Sequence, residues 1–360
     1  MFNQIRKIIE KIKGDNIFCS LEDEAFILKY LKEEENISPF TFKETDEKGK
    51  ELLEFLMEFT KKSITIYNEH LPKDKRKKNI FLFVDDKTIN AFATSINNID
   101  VVGINIGVLT ILYDFYNKVV DDKFFTEIAG NGEERKNLIF RLQVMSFHYI
   151  ICHEIGHLYN GHIDFGRLNL MKEIMNLNQS DRFEIIFNKT IELDADAFAM
   201  NRMLEFNENL IAVKDKSSVD NEIKYSYKIF LFSMYSFYLF LGETFRTNEI
   251  QEDTYFSPAV RQLLNLTIAE EFVARVRPEF SNEVKEITNY LMMEADFTLH
   301  KYCSKSIDES SKQIYLIGKL RYFESPELKN EMIIVKKEWN AIRDELQKNA
   351  RFQLSKKYNI

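Results

Sequence analysis

The chain has 360 residues, of which 45% are hydrophobic and 29% charged, and its formal net charge is −8. This length can bury a substantial core in one large domain or two smaller ones, and the composition is that of an ordinary folded protein. The negative charge argues against a general nucleic-acid-binding protein, because such proteins carry clustered positive charge. The three cysteines lie far apart and form no CxxC pair, which favours a reducing compartment.

The first part of the chain is predicted to be helical. Apolar residues recur at helical spacing at Phe2, Ile5, Ile8, Ile9 and Ile12. This pattern predicts an amphipathic helix packed on the body of the protein and not a signal peptide. A second apolar stripe runs through Leu52, Leu53, Leu56, Phe59 and Ile66. Its helix should end at Leu71-Pro72, because proline cannot continue a helix.

The periodicity changes near residue 79, where short runs rich in aromatic and β-branched residues predict strands. The predicted strands are Asn79–Asp85, Thr88–Thr94 and Ile99–Ile106, with Ser95–Asn98 as turn residues. Together they predict a small mixed or antiparallel sheet. Gly107 is expected to open the helix that follows.

A His-Glu-x-x-His motif begins at His153 and ends at His157, inside a helix predicted to run from near Glu133 to about Tyr159. On a helix of about 3.6 residues per turn, the two histidines stand one turn apart on one face, where they can share a zinc ion. Glu154 lies beside the first histidine and can take a proton from an attacking water as a general base. Gly161 is the predicted helix stop.

A catalytic zinc site needs a third protein ligand and an open coordination position. Glu192 and Asp196 lie four residues apart in a predicted helix with apolar partners. One of these carboxylates can bind zinc, and the other can accept the outer N–H of a ligand histidine and fix its tautomer. Asp194 is a weaker ligand candidate, because a helix rotates it by about 200° from Glu192.

A His-Glu-x-x-His helix followed by a Glu-x-x-x-Asp helix resembles the gluzincin metallopeptidases. The order of elements over residues 79–200 is similar to the core of two such groups, the HtpX-like and prenyl-protein-processing membrane peptidases and the soluble Lit-type phage-exclusion peptidases. The lack of a spanning segment favours the soluble group. The resemblance implies Glu192 as the third zinc ligand and Asp196 as the carboxylate that orients a ligand histidine.

The resemblance also implies an α+β, mostly helical fold with a zincin-like core, in which a sheet edge lies beside the cleft and substrate adds as an extended strand. Val101–Ile106 is the expected edge. We expect an N-terminal helical segment (1–78), the metallopeptidase core (79–215) and a helical C-terminal subdomain (216–360).

The C-terminal part is predicted to be helical. Ile229–Leu241 is an uncharged apolar run, but it is shorter than the roughly 20 residues needed to span a membrane, so a buried core helix is predicted. Later stripes run through Val284, Ile287, Tyr290, Leu291 and Ala295, and through Ile333, Trp339, Ile342 and Leu346. Without a signal peptide or a membrane span, the chain is expected to be cytoplasmic.

Asn90, His162 and Arg261 are weaker candidates for substrate or transition-state contacts. Asn90 is either a turn residue at a strand end or a hydrogen-bonding group near the cleft. His162 follows His157 by five residues, off the metal-facing side of the helix, and could be a fourth ligand, a transition-state donor or a surface residue. Arg261 follows Tyr255-Phe-Ser-Pro258, which is similar to the His-Pro…Arg element of related peptidases but lacks its histidine, so a surface arginine is the alternative.

These features predict an intracellular zinc-dependent endopeptidase that acts on a protein or peptide. Zinc would polarise the scissile carbonyl, Glu154 would pass a proton to the leaving amine, and a Tyr, His or Arg of the C-terminal half would hold the oxyanion. The Lit-type resemblance implies cleavage of a host translation elongation factor in phage defence. The alternative is a catalytically silent zinc-binding regulatory or interaction protein of the same fold. Because an unrestrained peptidase would harm its own cell, we expect an occluded cleft or an activating partner.

Overall fold

A computed structural model of the chain describes residues 18–42, 45–120, 125, 132–166, 181–212, 219–246, 258–295, 321 and 324–357. Within these ranges the chain is mostly helical and carries a three-stranded sheet. Two sequence-based predictions lie outside the described residues: the helix at 2–12 and the Tyr255–Ser257 part of the segment before Arg261.

The few helix bounds that the sequence predicted, at Leu71, Gly107, Glu133 and Tyr159, lie close to the observed ones. The helices are α1 (Leu21–Glu34), α2 (Glu47–Glu69), α3 (Gly107–Val119), α4 (Gly132–Tyr159), α5 (Asp181–Ala212), α6 (Val219–Arg246), α7 (Pro258–Val276), α8 (Ser281–Tyr290) and α9 (Pro326–Asn349). Side-chain caps fix three of the starts: Ser20, Asp46 and Ser325 each accept the backbone N–H three residues later. The end of α4 is set by Gly161, whose φ of 81° is a left-handed conformation that glycine adopts without strain.

The sheet contains β1 (Lys78–Val84), β2 (Ala91–Ile96) and β3 (Ile99–Asn105), in the spatial order β1-β3-β2. β3 runs parallel to β1 and antiparallel to β2, so the sheet is mixed. β2 and β3 form a hairpin whose turn is Asn97-Asn98, with φ values of 49° and 63°. Asparagine tolerates these angles, which match the twist of paired strands. The prediction that Ser95 and Ile96 are turn residues is wrong, because both belong to β2 and the turn consists of Asn97 and Asn98 only.

The prediction that Val101–Ile106 forms the sheet edge is wrong, because β3 is the central strand. Val101 pairs with Ile80 on one side and with Thr94 on the other. All residues of β3 are buried, and its nearly continuous apolar sequence is typical of a strand with neighbours on both sides and covered faces. β2 is half-buried and forms the edge.

The outer edge of β1 is covered by the segment between α1 and α2. Phe40 donates its N–H to the carbonyl of Phe83 at 2.8 Å, and Asp85 donates to the carbonyl of Ser38 at 2.9 Å. Among the described residues, no strand pairs with the outer edge of β2. β2 is therefore the edge open to a further strand.

The core is built around α4, which packs most extensively against α5 and also against α3, α6 and β2. In α6 the described side chains of Ile229–Tyr238 are buried, as predicted for a core helix. Fully burying each large apolar side chain contributes about 1.5–3 kcal/mol. No helix in the described ranges combines the length and the hydropathy that crossing a membrane requires.

The end of the described chain is tied back to the sheet and to α4. Arg351 donates to both carboxylate oxygens of Asp100 in β3, and its N–H donates to the carbonyl of Tyr159 at 2.7 Å. Trp339, Ile342 and Leu346 of α9 are buried as predicted, whereas Ile333 is exposed and does not belong to that stripe.

Candidate metal centre

The crossing of α4 and α5 brings the two sequence motifs together. A Cβ on Gly156 would lie 3.2 Å from Cα of Ala195 and 3.3 Å from a ring carbon of Phe198. The small residues of both helices therefore allow a close approach of the two backbones. This approach brings His153 and His157 of α4 close to Glu192 of α5.

Three ligand atoms cluster at this crossing. Nε2 of His153 lies 3.1 Å from Nε2 of His157 and 3.2 Å from Oε2 of Glu192, and Nε2 of His157 lies 3.4 Å from Oε1 of Glu192. A tetrahedral ion with bonds of 2.0–2.1 Å would hold its ligand atoms about 3.3 Å apart. His153, His157 and Glu192 thus form a group that could hold a metal ion, and their spacing fits one.

The charges around these ligands favour a bound cation. Burial opposes protonation of His153, but the carboxylates of Asp196 and Glu192 outweigh it and raise its pKa to about 10. Burial also opposes ionisation of Glu192, yet His157, His153 and Arg261 lower its pKa to about 2. Burial lowers the pKa of His157 to about 3, so its ring is neutral and able to coordinate. A metal ion can replace the proton that His153 carries beside these carboxylates.

Asp196 lies behind His153 and is held from several sides. Its Oδ1 accepts hydrogen bonds from the hydroxyls of Tyr238 at 2.7 Å and Tyr149 at 3.2 Å, and Arg261 binds both oxygens. Nδ1 of His153 lies 2.9 Å from the same Oδ1, but its N–H direction does not complete a hydrogen bond. A small rotation of the imidazole would complete it, as expected for a carboxylate that orients a ligand histidine.

Glu154 lies beside the ligand group, half-buried, and lines the same cavity. Burial raises the pKa of its carboxyl to about 7, the charge of His153 lowers it, and the charge of Glu192 raises it. A carboxyl that titrates near neutral pH can accept a proton and return it, which is the property that a general base and acid needs.

A cavity of about 330 Å³ opens in front of these residues, and we call it the cleft. Its lining includes Asn90 and Ala91–Ala93 of the edge strand β2, and also Tyr238 of α6 and Arg261 of α7. The rest of the lining is largely apolar. The cleft therefore combines the ligand group, a carboxyl and an open strand edge.

The weaker candidates lie in different places. Asn90 lines the cleft and also begins β2, where its Oδ1 accepts the N–H of Ala91 at 3.0 Å. Arg261 is buried in the cleft wall, so the alternative of a surface arginine is wrong. His162 is buried behind His157, on the Nδ1 side of that ring. Direct substrate contacts by these three residues stay predictions.

Sequence reasoning missed several residues that support the ligands. Tyr149 lies one turn before His153 on α4, so helical spacing could have identified it. Tyr238 carried no local signal among the 16 tyrosines of the chain. Asp194 points away from the ligand group, as expected, but its carboxylate contacts His162.

The described residues thus unite two histidines, a glutamate, a proton-accepting carboxyl and an open strand edge at one cleft. The arrangement itself is the basis for a functional assignment. Comparison with protein-family models, with curated proteins and with solved structures found no match to this chain.

Proposed function

We propose that this protein is a zinc-dependent endopeptidase with a zincin-like core, in which His153, His157 and Glu192 hold the metal. The observation that carries the proposal is the cluster of three ligand atoms, 3.1–3.4 Å apart, at a cleft that also contains Glu154 and a sheet edge. Two imidazoles and one carboxylate are a donor set of catalytic zinc sites, and three protein ligands leave a fourth position open.

Bound zinc would supply a Lewis acid that polarises a peptide carbonyl and acidifies a water. Glu154 takes a proton from the attacking water and delivers it to the nitrogen of the leaving amine. In the metal-free chain burial raises the pKa of this carboxyl to about 7, so its protonation costs little near neutral pH.

The edge strand β2 is the proposed docking site for the substrate backbone. Asn105 donates its N–H to the carbonyl of Asn90 at 3.0 Å, so alternate residues from Asn90 onward pair with β3. Ala91 and Ala93 then turn their N–H and C=O groups outward. The side chain of Asn90 already accepts the N–H of Ala91. Ala93 therefore has the next N–H and C=O groups on the outer side of β2 with which an extended peptide can pair.

Arg261 is the proposed source of oxyanion stabilisation among the described residues of the C-terminal half. It lines the cleft, and its Nε and Nη2 donate hydrogen bonds to Asp196, which fix the guanidinium group. A donor fixed in this way costs little reorganisation when charge develops on a substrate oxygen. Tyr238 also lines the cleft, but its single hydroxyl hydrogen is donated to Asp196, so its role is to support that carboxylate. Because Arg261 also supports Asp196, its substitution would affect the ligand shell and the oxyanion together.

Metal analysis of purified variants tests the ligand assignment. We expect one zinc per chain in the wild type and loss of most of it in His157→Ala and Glu192→Ala. Glu154→Gln should keep zinc and stay folded but lose hydrolysis of a peptide library, because only the base is removed. Full zinc retention in both ligand variants would refute the assignment, and undiminished hydrolysis by Glu154→Gln would exclude Glu154 as the base.

The catalytically silent zinc-binding protein remains the competing proposal. It predicts zinc in the wild type but no cleavage that depends on Glu154, either by the purified chain or in cells that express it. A role in phage defence rests on the resemblance to Lit-type peptidases and stays a prediction.

We also propose that the peptidase activity is restrained, either by an occluded cleft or by the need for an activating partner. Purified protein should then barely digest casein, whereas cells that express it under the right trigger should show cleavage of one or a few defined proteins. Fast and broad casein digestion by the purified chain would contradict restraint.

A further inference from the structure

Behind His157 lies a chain of polar contacts that the cleft does not use. Nδ1 of His157 lies 3.1 Å from Nδ1 of His162, and Nε2 of His162 lies 3.0 Å from Oδ2 of Asp194. The two imidazole rings meet edge to face, at an angle of 71°. His157 therefore has its own support, separate from the carboxylate of Asp196 behind His153.

Counting hydrogens fixes the direction of this chain. A histidine that coordinates a metal through Nε2 carries its hydrogen on Nδ1, so His157 must donate to its neighbour. His162 must then accept at Nδ1 and carry its own hydrogen on Nε2. That hydrogen faces Asp194, whose carboxylate accepts it. With a neutral His162 and an ionised Asp194, each contact in the chain has one donor and one acceptor only when Nε2 of His157 is free of hydrogen.

The chain is held in place and shielded from water. The side chain of His162 is only 1% exposed and that of Asp194 10%, so water has little access to replace the contacts. Asn160 donates to Oδ2 of Asp194 at 2.6 Å. Gly161 turns the backbone between Asn160 and His162, and a Cβ there would lie 2.8 Å from the backbone nitrogen of Ala350. The glycine thus allows the turn that brings His162 behind the ligand.

We propose that His162 and Asp194 are positioning residues for the metal centre, which together hold His157 with its hydrogen on Nδ1 and its Nε2 turned toward the metal. The inference rests on the proposed function and extends it to two residues outside the ligand set. The imidazole of His162 lies between the ligand and the carboxylate. When Asp194 accepts the hydrogen of Nε2, Nδ1 of His162 becomes a stronger acceptor for the hydrogen of His157. This arrangement lets Asp194 act on the metal centre although it points away from it.

Zinc affinity of the full chain, measured by competition with a chromophoric chelator, tests the inference. His162→Leu removes both contacts and Asp194→Leu removes the terminal acceptor, and we expect each to weaken zinc binding by about 10–100-fold. His162→Asn can place an amide oxygen where Nδ1 lies, so it should bind zinc with an affinity between those of wild type and His162→Leu. Partial rescue by asparagine would not follow from a space-filling role.

A second measurement reads the tautomer directly. Long-range ¹H–¹⁵N NMR of the zinc-loaded protein, labelled at histidine, should show a protonated Nδ1 on His157 whose hydrogen exchanges slowly. In His162→Leu and Asp194→Leu this hydrogen should exchange faster. His148→Phe is the matched control, because it removes another buried imidazole of α4 without contact to a ligand, and its zinc affinity should stay within about twofold of wild type.

The outcomes separate this inference from the proposed function. If the wild type binds no zinc, both are overturned. If the wild type binds zinc while His162→Leu and Asp194→Leu bind it equally well, with unchanged exchange at His157, only the positioning role is overturned. Should the leucine variants not fold, His162→Asn decides: a loss of affinity with faster exchange supports the role, and wild-type values overturn it.

Discussion

Arg261 binds both carboxylate oxygens of Asp196, with Nε 2.6 Å from Oδ2 and Nη2 2.7 Å from Oδ1. The arginine comes from α7 and the aspartate from α5, and both side chains are nearly excluded from solvent. Although burial opposes both charges, each partner favours the other's ionisation, so the pKa of Asp196 is held well below its usual range and that of Arg261 well above. The arginine of α7 thereby stabilises the residue that lies behind His153, a candidate metal ligand.

Removing the cation of this pair should destabilise the fold. In Arg261→Met the buried charge of Asp196 loses its bidentate partner, and we expect the free energy of unfolding of the chelator-treated protein to fall by about 3–5 kcal/mol. Urea denaturation measures this change. The double variant Arg261→Met, Asp196→Asn should recover part of the loss, because the uncompensated charge is gone. A double variant as unstable as the sum of the two single variants would show that the pair is not coupled.

Asp196 should also affect the metal. Its Oδ1 lies 2.9 Å from Nδ1 of His153, so Asp196→Asn should weaken zinc binding by about 10–100-fold without abolishing it. Metal titration measures the change. Glu205→Gln, an exposed change on the same helix, is the control and should leave the affinity unaltered. Unchanged affinity in Asp196→Asn would leave Asp196 with only the structural role of a partner for Arg261.

A proline in the edge strand β2 should weaken the binding of substrate without disturbing the fold. The register turns the N–H of Ala93 to the outer side of β2, where proline is tolerated because no sheet hydrogen bond is lost. Ala93→Pro removes one donor to the substrate backbone, and we expect kcat/KM to fall by about 3–10-fold, with zinc content unchanged. Ala93→Ser keeps the N–H and should behave like wild type. Equal kcat/KM values for both variants would exclude pairing at Ala93.

Local patterns in the sequence predicted most of the individual elements. The starts of α3 and α4 and the positions of β1 and β3 follow from periodicity, glycine and runs of apolar residues, all of which act over a few residues. The strand order did not follow, because it depends on pairing between distant segments. Once β3 pairs with β1, its outer neighbour β2 becomes the edge, and no pattern within Val101–Ile106 specifies that.

The same limit applies to the candidate site. His153 and His157 were identified because spacing along α4 places them on one face. The same spacing on α5 identified Glu192 together with Asp196, and the resemblance to gluzincins implied that Glu192 is the ligand. The residues that hold those ligands come from elsewhere in the chain: Tyr238 reaches Asp196 from α6, and His162 meets Asp194 only because α4 and α5 cross. Such contacts are set by packing, so sequence spacing gives no information about them.

His148 should make the stability of the fold depend on pH. It lies within the core on α4, where its Nε2 is 3.1 Å from the hydroxyl of Tyr67 and its ring packs against Phe59 and Phe206. Burial lowers its pKa to about 3, so the folded chain keeps it neutral at mildly acidic pH. The unfolded chain binds a proton there below about pH 6.5. Unfolding therefore takes up a proton, and the stability contributed by neutral His148 is lost as the pH falls below that value.

Comparison with His148→Phe isolates the contribution of His148 to the pH dependence of stability. Phenylalanine keeps an aromatic ring at this position of the core but cannot be protonated. Between pH 7.5 and 5.0, the unfolding free energy of the wild type should fall by about 2 kcal/mol more than that of the variant. Urea denaturation of the chelator-treated proteins at several pH values measures the difference, and titrating groups common to both proteins cancel. Parallel pH profiles would show that His148 accepts a proton in the folded state as readily as in the unfolded chain.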